Sequence, residues 1–513
     1  MATVGVPSSP EVARPGELRR GAVGFGGVLF QSITFMAPAI ATAFSIPIGM
    51  SFGGGATVLA VIIALVASLL VASSIAQLAK HMPAAGSFYT YISNSIHPTI
   101  GFLVAWGFEL ALLAGGAFLA LQIAIIVAPP LTSEFSFSGD LWWIWAVLGA
   151  VLVFGLGYVG IKASTRTGLL LGVFEIGVIL ALAITLIVKA GSHNTARVFT
   201  THFANNPHFR GWTGIFAASV FSVLAFIGFE EAAPLAEEAR EPRRHVQQAV
   251  VLSALLIGIF YLLNTYASTV FYGPSRMVGF VSAGNANPWQ NVLARNAWGG
   301  LGFLIVFLAL LNSAIANLNA ANNSSSRNLY SMGRIRLLPR AFAGLNRRFR
   351  SPYVGLFAML VITIGVALWL GFQYDPYTAF ATTATVLVAV FIPIYILLDL
   401  ACIVYYLRYR REEFNWILHL LIPLLGIAAF VPAFLAAVGL PVFSFISRLP
   451  KPLAYAGPAA GIWMVIGIIY MVYLLLRHPQ RIKETRRIFI DEEPAAPAAP
   501  AAPAAPAAPP PAG

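Results

Sequence analysis

Charged residues are scarce in this chain. Asp, Glu, Lys and Arg together make up 10% of its 513 residues, whereas about 25% is usual in soluble domains. Hydrophobic residues make up 58%. This composition excludes an ordinary soluble protein and indicates an integral membrane protein built from many apolar helices.

The motifs of several classes of membrane machine are absent as well. Cys402 is the only cysteine, which excludes a disulfide framework or an iron–sulfur cluster within one chain. The sequence contains no G-x-x-x-x-G-K-[ST] loop for an ATP-driven pump and no H-E-x-x-H metal motif. No re-entrant filter or ring of charges typical of a channel stands out. We therefore expect a secondary transporter, not an enzyme, with no cofactor and no bound metal.

Twelve apolar runs are long enough to cross a bilayer, which takes about 20 residues. In chain order, the predicted spans 1 to 12 cover residues 22–48, 56–79, 99–129, 141–161, 166–189, 212–235, 246–272, 299–326, 353–372, 378–407, 414–439 and 456–476. The sequence thus predicts an all-α integral membrane protein with twelve spans.

The basic residues predict an orientation. If the N-terminus lies inside, 24 of the 31 Lys and Arg residues fall in cytoplasmic segments, as the positive-inside rule requires. Both termini are therefore predicted to be cytoplasmic. The net charge of +12 is dispersed over the ends of the spans, so we expect a lipid bilayer and no nucleic acid as its partner.

The two ends of the chain are unlike the spans. Residues 1–20 lack the apolar stretch of a cleavable signal peptide and are predicted to form a cytoplasmic N-terminal segment. Residues 481–513 are predicted to be a disordered cytoplasmic tail, because their Pro/Ala-rich repeat cannot bury a core.

Two spans contain helix-breaking residues. Span 1 has Pro38 and Pro47 inside its apolar run, and we expect an opened region from about Ser32 to Ala37. Span 6 contains FIGFEEAAP, in which Gly228 and Pro234 disfavour a continuous helix. The interruptions are five spans apart, as two inverted halves of five spans would require, and discontinuous helices commonly form transporter binding sites.

Three motifs resemble those of the amino acid–polyamine–organocation permease family. The run GFEEAAPLAEEAREPRR (Gly228 to Arg244) resembles the family's G-F-E on span 6 and its E-E-x-x-x-P-[RK]-R hinge. After span 8, SSRNLYSMGRIRLLPRAFAGLNRRFRSP (Ser325 to Pro352) resembles S-R-x-x-Y-x-M-x-R-x-x-x-L-P. After span 2, MPAAGSFYTYI (Met82 to Ile92) resembles P-x-x-G-x-x-Y-x-Y. Together the motifs extend the resemblance from span 1 through span 10.

The resemblance implies a leucine-transporter-like fold of five plus five inverted spans, with spans 1 and 6 broken. Residues 21–410 would form this ten-span transport core, and residues 411–480 would hold spans 11 and 12. It also implies alternating-access transport of an amino acid or related amine across a plasma membrane, which we take to be bacterial. The substrate would lie between the broken parts of spans 1 and 6, framed by spans 3, 8 and 10.

Candidate substrate-binding residues follow from this resemblance. They are Gln31, Ser32, Ile33, Thr34, Phe35 and Met36 on span 1, Glu109 on span 3, and Leu224, Ala225, Phe226, Ile227 and Gly228 on span 6. Phe226 is also the expected aromatic gate.

Span 1 departs from the family's pattern. Where the family has G-S-G-[IV]-F, this chain has Gln31 to Phe35. Glycines let backbone amides approach a carboxylate, whereas Ile33 resists the dihedral angles this needs. Gln31 and Thr34 could donate side-chain hydrogen bonds instead, and a decarboxylated amine stays open as the substrate.

Five acidic residues lie within or near the spans, where no Lys or Arg lies deep: Glu109, Glu175, Glu230, Glu231 and Asp399. A charge at the bilayer centre costs about 2.5–3.5 kcal/mol, which makes such residues functional candidates. Glu175 and Glu230 are the expected coupling residues. By the resemblance, Glu175 stands where several proton-coupled members carry a lysine, and Glu230 holds the family position.

The other acids have different expectations. Glu109 either pairs with an amine or bonds across a helix interface, and Glu231, which lacks the family's support, is expected to be structural. Asp399 and Glu413 are expected to pair at the interface with Arg408 and Arg410.

We expect a proton-coupled permease. Sodium coupling, substrate exchange and a transport-inactive sensor are the alternatives, and the sequence leaves the exact substrate and the oligomeric state open.

Overall fold

A computed structural model describes residue 21 and residues 23–83, 87–159, 165–282 and 289–486. The predicted N-terminal segment 1–20 and most of the predicted tail lie outside the described residues. What is described is almost entirely helical, as the composition predicts.

The α-helices of the described part are numbered in chain order. They are α1 (Phe25–Met36), α2 (Pro38–Ile40), α3 (Ile46–Gly53), α4 (Thr57–His81), α5 (Ser87–Ser95), α6 (Pro98–Phe135), α7 (Trp142–Val159), α8 (Thr165–Ala190), α9 (Trp212–Phe226), α10 (Pro242–Tyr272), α11 (Met277–Ser282), α12 (Trp289–Arg334), α13 (Tyr353–Gln373), α14 (Pro376–Tyr409), α15 (Ile422–Val438), α16 (Ala456–Arg477) and α17 (Pro479–Lys483). Two-residue strands, β1 (Asn205–Asn206) and β2 (Phe209–Arg210), form an antiparallel hairpin. In α12 the backbone leaves helical geometry at Gly299, whose φ is 77°.

Eleven helical segments within the described ranges are long and apolar enough to cross a membrane. The first, Phe25–His81, has 57 residues and contains α1 to α4, so predicted spans 1 and 2 form one continuous segment. The other ten segments correspond one to one to predicted spans 3 to 12. The all-α membrane class is confirmed, and the count of twelve crossings stays a prediction.

Local sequence signals set several helix ends. Pro376 begins α14, and the Asp375 carboxylate before it accepts hydrogen bonds from the amides of Tyr377 and Thr378, both at 2.9 Å. A proline at the first helical position and an aspartate before it are favoured because the first amides have no partner within the helix. At the C-terminal end of α15, Gly439 terminates the helix with a φ of 74°, in the left-handed region that glycine adopts freely.

Three helical segments form the centre of the protein. The apolar 18-residue windows of the segments containing α6, α9 and α14 are 89%, 83% and 72% buried, against 17% in the segment containing α16. The helices α6, α9 and α14 are therefore central, and α16 is peripheral. Large apolar side chains such as Leu170, Val188, Trp369 and Leu476 are exposed on the outer helices, where a bilayer would cover them.

Two tryptophans attach α16 to the centre. The Trp106 indole N–H donates to the carbonyl of Trp463 at 2.9 Å, and the Trp463 indole N–H donates back to the carbonyl of Trp106 at 2.8 Å. Their rings stack with centroids 4.9 Å apart. We call this pair the tryptophan clamp.

The helix α5 lies between predicted spans 2 and 3, where the sequence predicts no span. The end of the described chain packs on it: the Arg486 guanidinium donates to the carbonyl of Ser93 at 2.9 Å, and Asn94 donates to the carbonyl of Arg486 at 2.9 Å. The Ser93 hydroxyl also donates to Thr485 at 2.8 Å. The segment after α16 is thereby fixed to α5.

Candidate functional site

The first break in the helices lies at Ala37, between α1 and α2. Pro38 has no amide hydrogen, and Ala37 before it adopts the left-handed conformation with φ 47° and ψ 71°. The Ala37 amide donates to the carbonyl of Thr34 at 3.2 Å. The helix continues regularly to Met36, so the break is narrower than the predicted opening from Ser32 to Ala37. A single left-handed residue is enough to redirect the chain here.

The second break lies after α9. The Ile227 amide closes the helix by donating to the carbonyls of Val223 and Leu224, both at 3.2 Å. Gly228 then adopts a φ of 122°, and a 3-10 helix follows from Phe229–Glu238. Gly228 therefore interrupts span 6 as predicted, whereas Pro234 lies inside the 3-10 helix.

The two breaks touch each other. A Cβ atom added to Gly228 would lie 2.6 Å from Cδ1 of Phe35 and 2.9 Å from the amide nitrogen of Met36. Only glycine leaves room for this approach. On one side of the contact, the Ala232 amide donates to the Ser32 hydroxyl at 2.8 Å. On the other, the Tyr261 hydroxyl donates to the Met36 carbonyl at 2.6 Å.

A cavity lies beside this contact, and we call it the central cavity. Its lining residues come from the two breaks and from α6, α12 and α14. They are Phe35, Met36, Ala37, Ile40, Ala41, Ser45, Ala111, Leu112, Gly115, Phe118, Leu119, Leu224, Ala225, Ile227, Asn317, Ala321, Leu387 and Phe391. All are described residues, and none is charged.

Asn317 and Ser45 provide the polar side chains of the central cavity. The Asn317 side chain is 7% exposed, and its Oδ1 has no hydrogen-bond partner among the described residues. An unpaired amide oxygen facing a cavity can accept a hydrogen bond from a bound ammonium or hydroxyl group. The arrangement can thus hold a small molecule that is mostly apolar and carries a polar end.

Five of the candidate substrate-binding residues line the central cavity: Phe35, Met36, Leu224, Ala225 and Ile227. The other candidates do not line it: Gln31, Ser32, Ile33, Thr34, Glu109, Phe226 and Gly228. Phe226 is buried and packs edge-on against Tyr261, with ring centroids 5.3 Å apart. Its role as a gate stays a prediction.

The lining residues of α6, α12 and α14 were not identified from the sequence. The resemblance indicated these spans, but an almost wholly apolar helix does not reveal which of its faces borders a cavity. Asn317 was the one residue that could have indicated the cavity-facing side of α12. It lies about 140° around the helix from Asn312, on a different face from the other amide side chains of that span.

Glu109 and Glu175 are buried and fully hydrogen-bonded. The Glu109 carboxylate accepts from the Ser325 hydroxyl at 2.6 Å and the Asn328 amide at 2.8 Å. Both partners lie on α12. The carboxylate therefore bonds across a helix interface, which is one of the two expectations for it.

Glu175 makes an equivalent pair of contacts, also with α12. It accepts from the Ser313 hydroxyl at 3.0 Å and from the Asn312 side chain at 2.8 Å. These donors are neutral, so they solvate the carboxyl group without neutralising it.

Glu230 and Glu231 follow the second break, and both are fully buried. One carboxyl oxygen of Glu230 accepts from the Gly228 amide at 3.0 Å. The coupling prediction for Glu230 is not tested by this geometry, but its carboxyl group is attached directly to the break.

Asp399 differs from its expectation. It does not pair with Arg408 or Arg410 but is fully buried, and it accepts a hydrogen bond from the Ser74 hydroxyl at 2.6 Å. The reason is helical geometry: nine residues correspond to about 180° of rotation and about 13.5 Å of rise, so Asp399 and Arg408 face opposite ways.

Glu413 does pair at the interface. It lies 2.8 Å from the Lys80 ammonium, 3.3 Å from His81 and 3.8 Å from Arg410. The hydrogen bond from Lys80 is the main reason that the pKa of the Glu413 carboxyl is lowered from its usual value. Among the residues that the structure describes, no group of three or more His, Cys, Asp or Glu could hold a metal ion.

Comparison with known proteins adds the family context. Residues 27–483 match the model of a family described as amino acid permease. The low-affinity putrescine importer PlaP of Escherichia coli K12 is 25% identical over 352 residues, which are 68% of this chain and 74% of that protein. The branched-chain amino acid permease BcaP of Lactococcus lactis subsp. cremoris is 24% identical over 372 residues, 69% of this chain and 75% of that protein. The histidine permease HisP of the same organism is 24% identical over 299 residues, 57% of this chain and 61% of that protein.

Proposed function

The chain belongs to the amino acid permease family, and we propose that it is a secondary transporter of a neutral, apolar amino acid. The relatives are described as carriers of putrescine, of branched-chain amino acids and of histidine, which supports amino acids or amines as the general substrate class. The narrower proposal is carried by one observation: the lining of the central cavity contains no charged side chain.

A polyamine does not suit this cavity. Each of its ammonium groups would be buried without a carboxylate partner, and an unpaired buried charge is very unfavourable. A neutral amino acid places only one ammonium and one carboxylate group in the cavity. Its side chain would contact Phe118, Leu119, Leu387 and Phe391, which form an apolar wall.

The backbone at the two helix breaks offers hydrogen-bond partners for the ammonium and carboxylate groups of the substrate. The first amides of a helix have no partner within it, so the amides that follow Pro38 can bind a carboxylate. The last carbonyls of α9 can accept from the ammonium group, as can Asn317 Oδ1. Span 1 can therefore bind an amino acid although it lacks the glycines of the family motif, because the left-handed Ala37 turns the chain in their place.

Twelve crossings and an inverted repeat form part of the proposal. A straight helix of 57 residues would be about 86 Å long, nearly three times the roughly 30 Å hydrocarbon core, which supports two crossings by Phe25–His81. Gly54, with a φ of 54°, is the natural turning point. The breaks at Ala37 and Gly228 fall five crossings apart, which supports two inverted halves and alternating access.

We further propose that transport is proton-coupled across the plasma membrane, with both termini in the cytoplasm. Glu175 and Glu230 are the candidate coupling residues. Both are buried, and the hydrogen bonds described above come from neutral donors, so a mobile proton or cation would have to balance their charge.

Purified protein in proteoliposomes tests the substrate class. Counterflow of labelled leucine should be inhibited by excess isoleucine or phenylalanine, but not by putrescine or lysine. Inhibition by putrescine alone would contradict the proposal in favour of an amine. The absence of counterflow with every amino acid and amine would favour a transport-inactive sensor.

Two asparagines of α12 provide a matched pair of variants. Asn317→Ala removes the acceptor that faces the central cavity, and a hydrogen bond to a charged group contributes about 1.5–3 kcal/mol. We expect the KM for leucine to rise about tenfold or more. Asn319→Ala removes another unpaired amide from the same helix but not from the cavity lining, so its KM should not change.

A further inference from the structure

The connection between α12 and α13 is strongly basic. Residues 335–352, called the basic loop below, contain no acidic residue, and none occurs anywhere between Glu241 and Asp375. The loop carries five arginines, all of them exposed: Arg336, Arg340, Arg347, Arg348 and Arg350. None of them takes part in the ion pairs between described residues. Because an arginine stays charged at any ordinary pH, this charge is available to a partner outside the chain.

The last part of the basic loop forms a fixed turn. The Asn346 side-chain oxygen accepts from the amides of Arg348 at 2.8 Å and Phe349 at 3.1 Å. The Asn346 side-chain nitrogen donates to the Tyr158 hydroxyl of α7 at 2.6 Å. The Arg350 amide donates to the Asn346 carbonyl at 2.9 Å. Positive charge that served only to orient the protein in the membrane would not need such a turn.

The same turn packs against the end of α7. The Ser351 hydroxyl donates to the Tyr158 carbonyl at 2.8 Å, and the rings of Phe349 and Tyr158 meet at an angle of 64° with centroids 6.1 Å apart. The Arg348 guanidinium lies 5.2 Å from the centroid of the Phe349 ring. Contact with an aromatic face is favourable for a guanidinium and restricts where it lies.

The length of α13 places these arginines at the membrane surface. The helix has 21 residues and is therefore about 32 Å long, close to the roughly 30 Å of the hydrocarbon core. Its first residue, Tyr353, then lies at the edge of the core. Arg350 precedes it by three residues and so lies at the level of the lipid headgroups.

Apolar side chains face outward directly below the turn. Tyr353, Phe357 and Val361 are exposed and follow each other at intervals of four residues, so they share one face of α13. The neighbouring α7 exposes Leu156 and Val159 close to its end. Acyl chains can lie along these two surfaces while their headgroup reaches the arginines.

We propose that Arg347, Arg348 and Arg350, together with the exposed face of α13, form a binding site for one anionic phospholipid. Guanidinium groups match the geometry of phosphate oxygens, and an anionic phospholipid is the ligand that joins a negatively charged phosphate to apolar chains. The proposed orientation assigns this lipid to the cytoplasmic leaflet. The site does not involve the central cavity, so the proposal is independent of the transported substrate.

Lipid selectivity is the first measurement, made on the purified full-length chain in detergent. Dioleoyl-phosphatidylglycerol, which is anionic, is compared with dioleoyl-phosphatidylcholine, which has the same acyl chains and no net charge. Apparent Kd values come from native mass spectrometry. Each basic residue near an anionic lipid contributes about fivefold in affinity, so three arginines should favour phosphatidylglycerol about a hundredfold. Phosphatidylglycerol should also raise the Tm more than phosphatidylcholine does. Equal Kd values for the two lipids would overturn the proposal.

Arg347→Gln/Arg348→Gln should reduce the preference for phosphatidylglycerol to about fivefold, because it removes two of the three charges. Both residues are exposed, so the variant should still fold. Arg408→Gln/Arg411→Gln is the matched control: it removes two exposed arginines from the end of α14 and the turn after it. This control should keep the preference within about twofold, because charge effects at a lipid surface act over short distances. An equal loss in both variants would refute the site, since overall charge would then explain the binding.

Asn346→Ala tests whether the fixed turn matters. It keeps every arginine but removes the hydrogen bonds to Tyr158 and to the amides of Arg348 and Phe349. The preference should fall about fivefold, because mobile side chains must then be ordered on binding. An unchanged preference would contradict a built site.

Inorganic phosphate distinguishes a lipid from a soluble anion. At ionic strength matched with sodium chloride, it should neither displace bound phosphatidylglycerol nor raise the Tm, because it cannot use the apolar face of α13. If inorganic phosphate did both, the arginines would form a site for soluble phosphate and the lipid proposal would be wrong.

Discussion

Replacing Gly228 by alanine is the sharpest test of the contact between the two breaks. The position has a φ of 122°, which L side chains rarely adopt, and the new Cβ would lie 2.6 Å from Phe35 Cδ1 and 2.9 Å from the Met36 amide nitrogen. The backbone strain and the overlap each cost about 1–3 kcal/mol. The phenylalanine ring can move aside, but the Met36 backbone can yield only if the two breaks separate.

We therefore expect Gly228→Ala to lower the Tm and to raise the KM for substrate by tenfold or more, because Phe35 and Met36 line the central cavity. The assays are thermal unfolding in detergent and counterflow in proteoliposomes. Gly365→Ala is the control: this glycine lies in α13, and a Cβ there meets open space, so any change should stay below about 1 kcal/mol. Unchanged Tm and KM in Gly228→Ala would refute the close approach.

Three further outcomes follow from individual contacts. Tyr261→Phe leaves the buried Met36 carbonyl without its donor and should destabilise the protein by about 1–3 kcal/mol, measured by thermal or denaturant unfolding. In the tryptophan clamp, Trp106→Phe and Trp463→Phe should be less than additive in a double-mutant cycle, with a coupling of about 0.5–3 kcal/mol, whereas full additivity would mean that the stacked pair contributes nothing jointly. Glu413→Gln should lower the Tm slightly at pH 7. The difference from the unmodified protein should start to shrink below the ordinary glutamate pKa of about 4.3 and vanish only below the lowered pKa of the folded protein, because the carboxyl group loses its contribution when it is protonated.

The apolar runs predicted most of the fold. Because a bilayer requires long helices with every backbone group bonded internally, ten of the eleven segments were located individually from composition alone. The two interruptions were also predicted, since Pro38 lacks an amide hydrogen and Gly228 lowers helix propensity. The resemblance to amino acid permeases, which rested on three short motifs, is confirmed by the family match over residues 27–483.

The cavity-lining residues that the sequence did not predict depend on the orientation of each helix about its own axis, that is, on which of its faces points toward the neighbouring helices. A soluble helix reveals its buried face by polar residues on the opposite face, but lipid is as apolar as the protein interior, so α6 and α14 carry no such pattern. Leu112, Phe118 and Phe391 are for this reason indistinguishable in sequence from lipid-facing neighbours. Asp399 was misplaced because its distance along the chain from Arg408 was considered without its angle around the helix.

The contact between the two breaks restricts how the protein can move. Gly228 packs against the Phe35 to Met36 backbone, and Ser32 is bonded to the amide of Ala232 across the same seam. If one broken helix slid along the other, the packing contact at Gly228 and the hydrogen bond at Ser32 would both be broken. We expect the two broken helices to move together as one rigid pair. During transport, this pair would then move against α6, α12 and α14, along the faces where it contacts them.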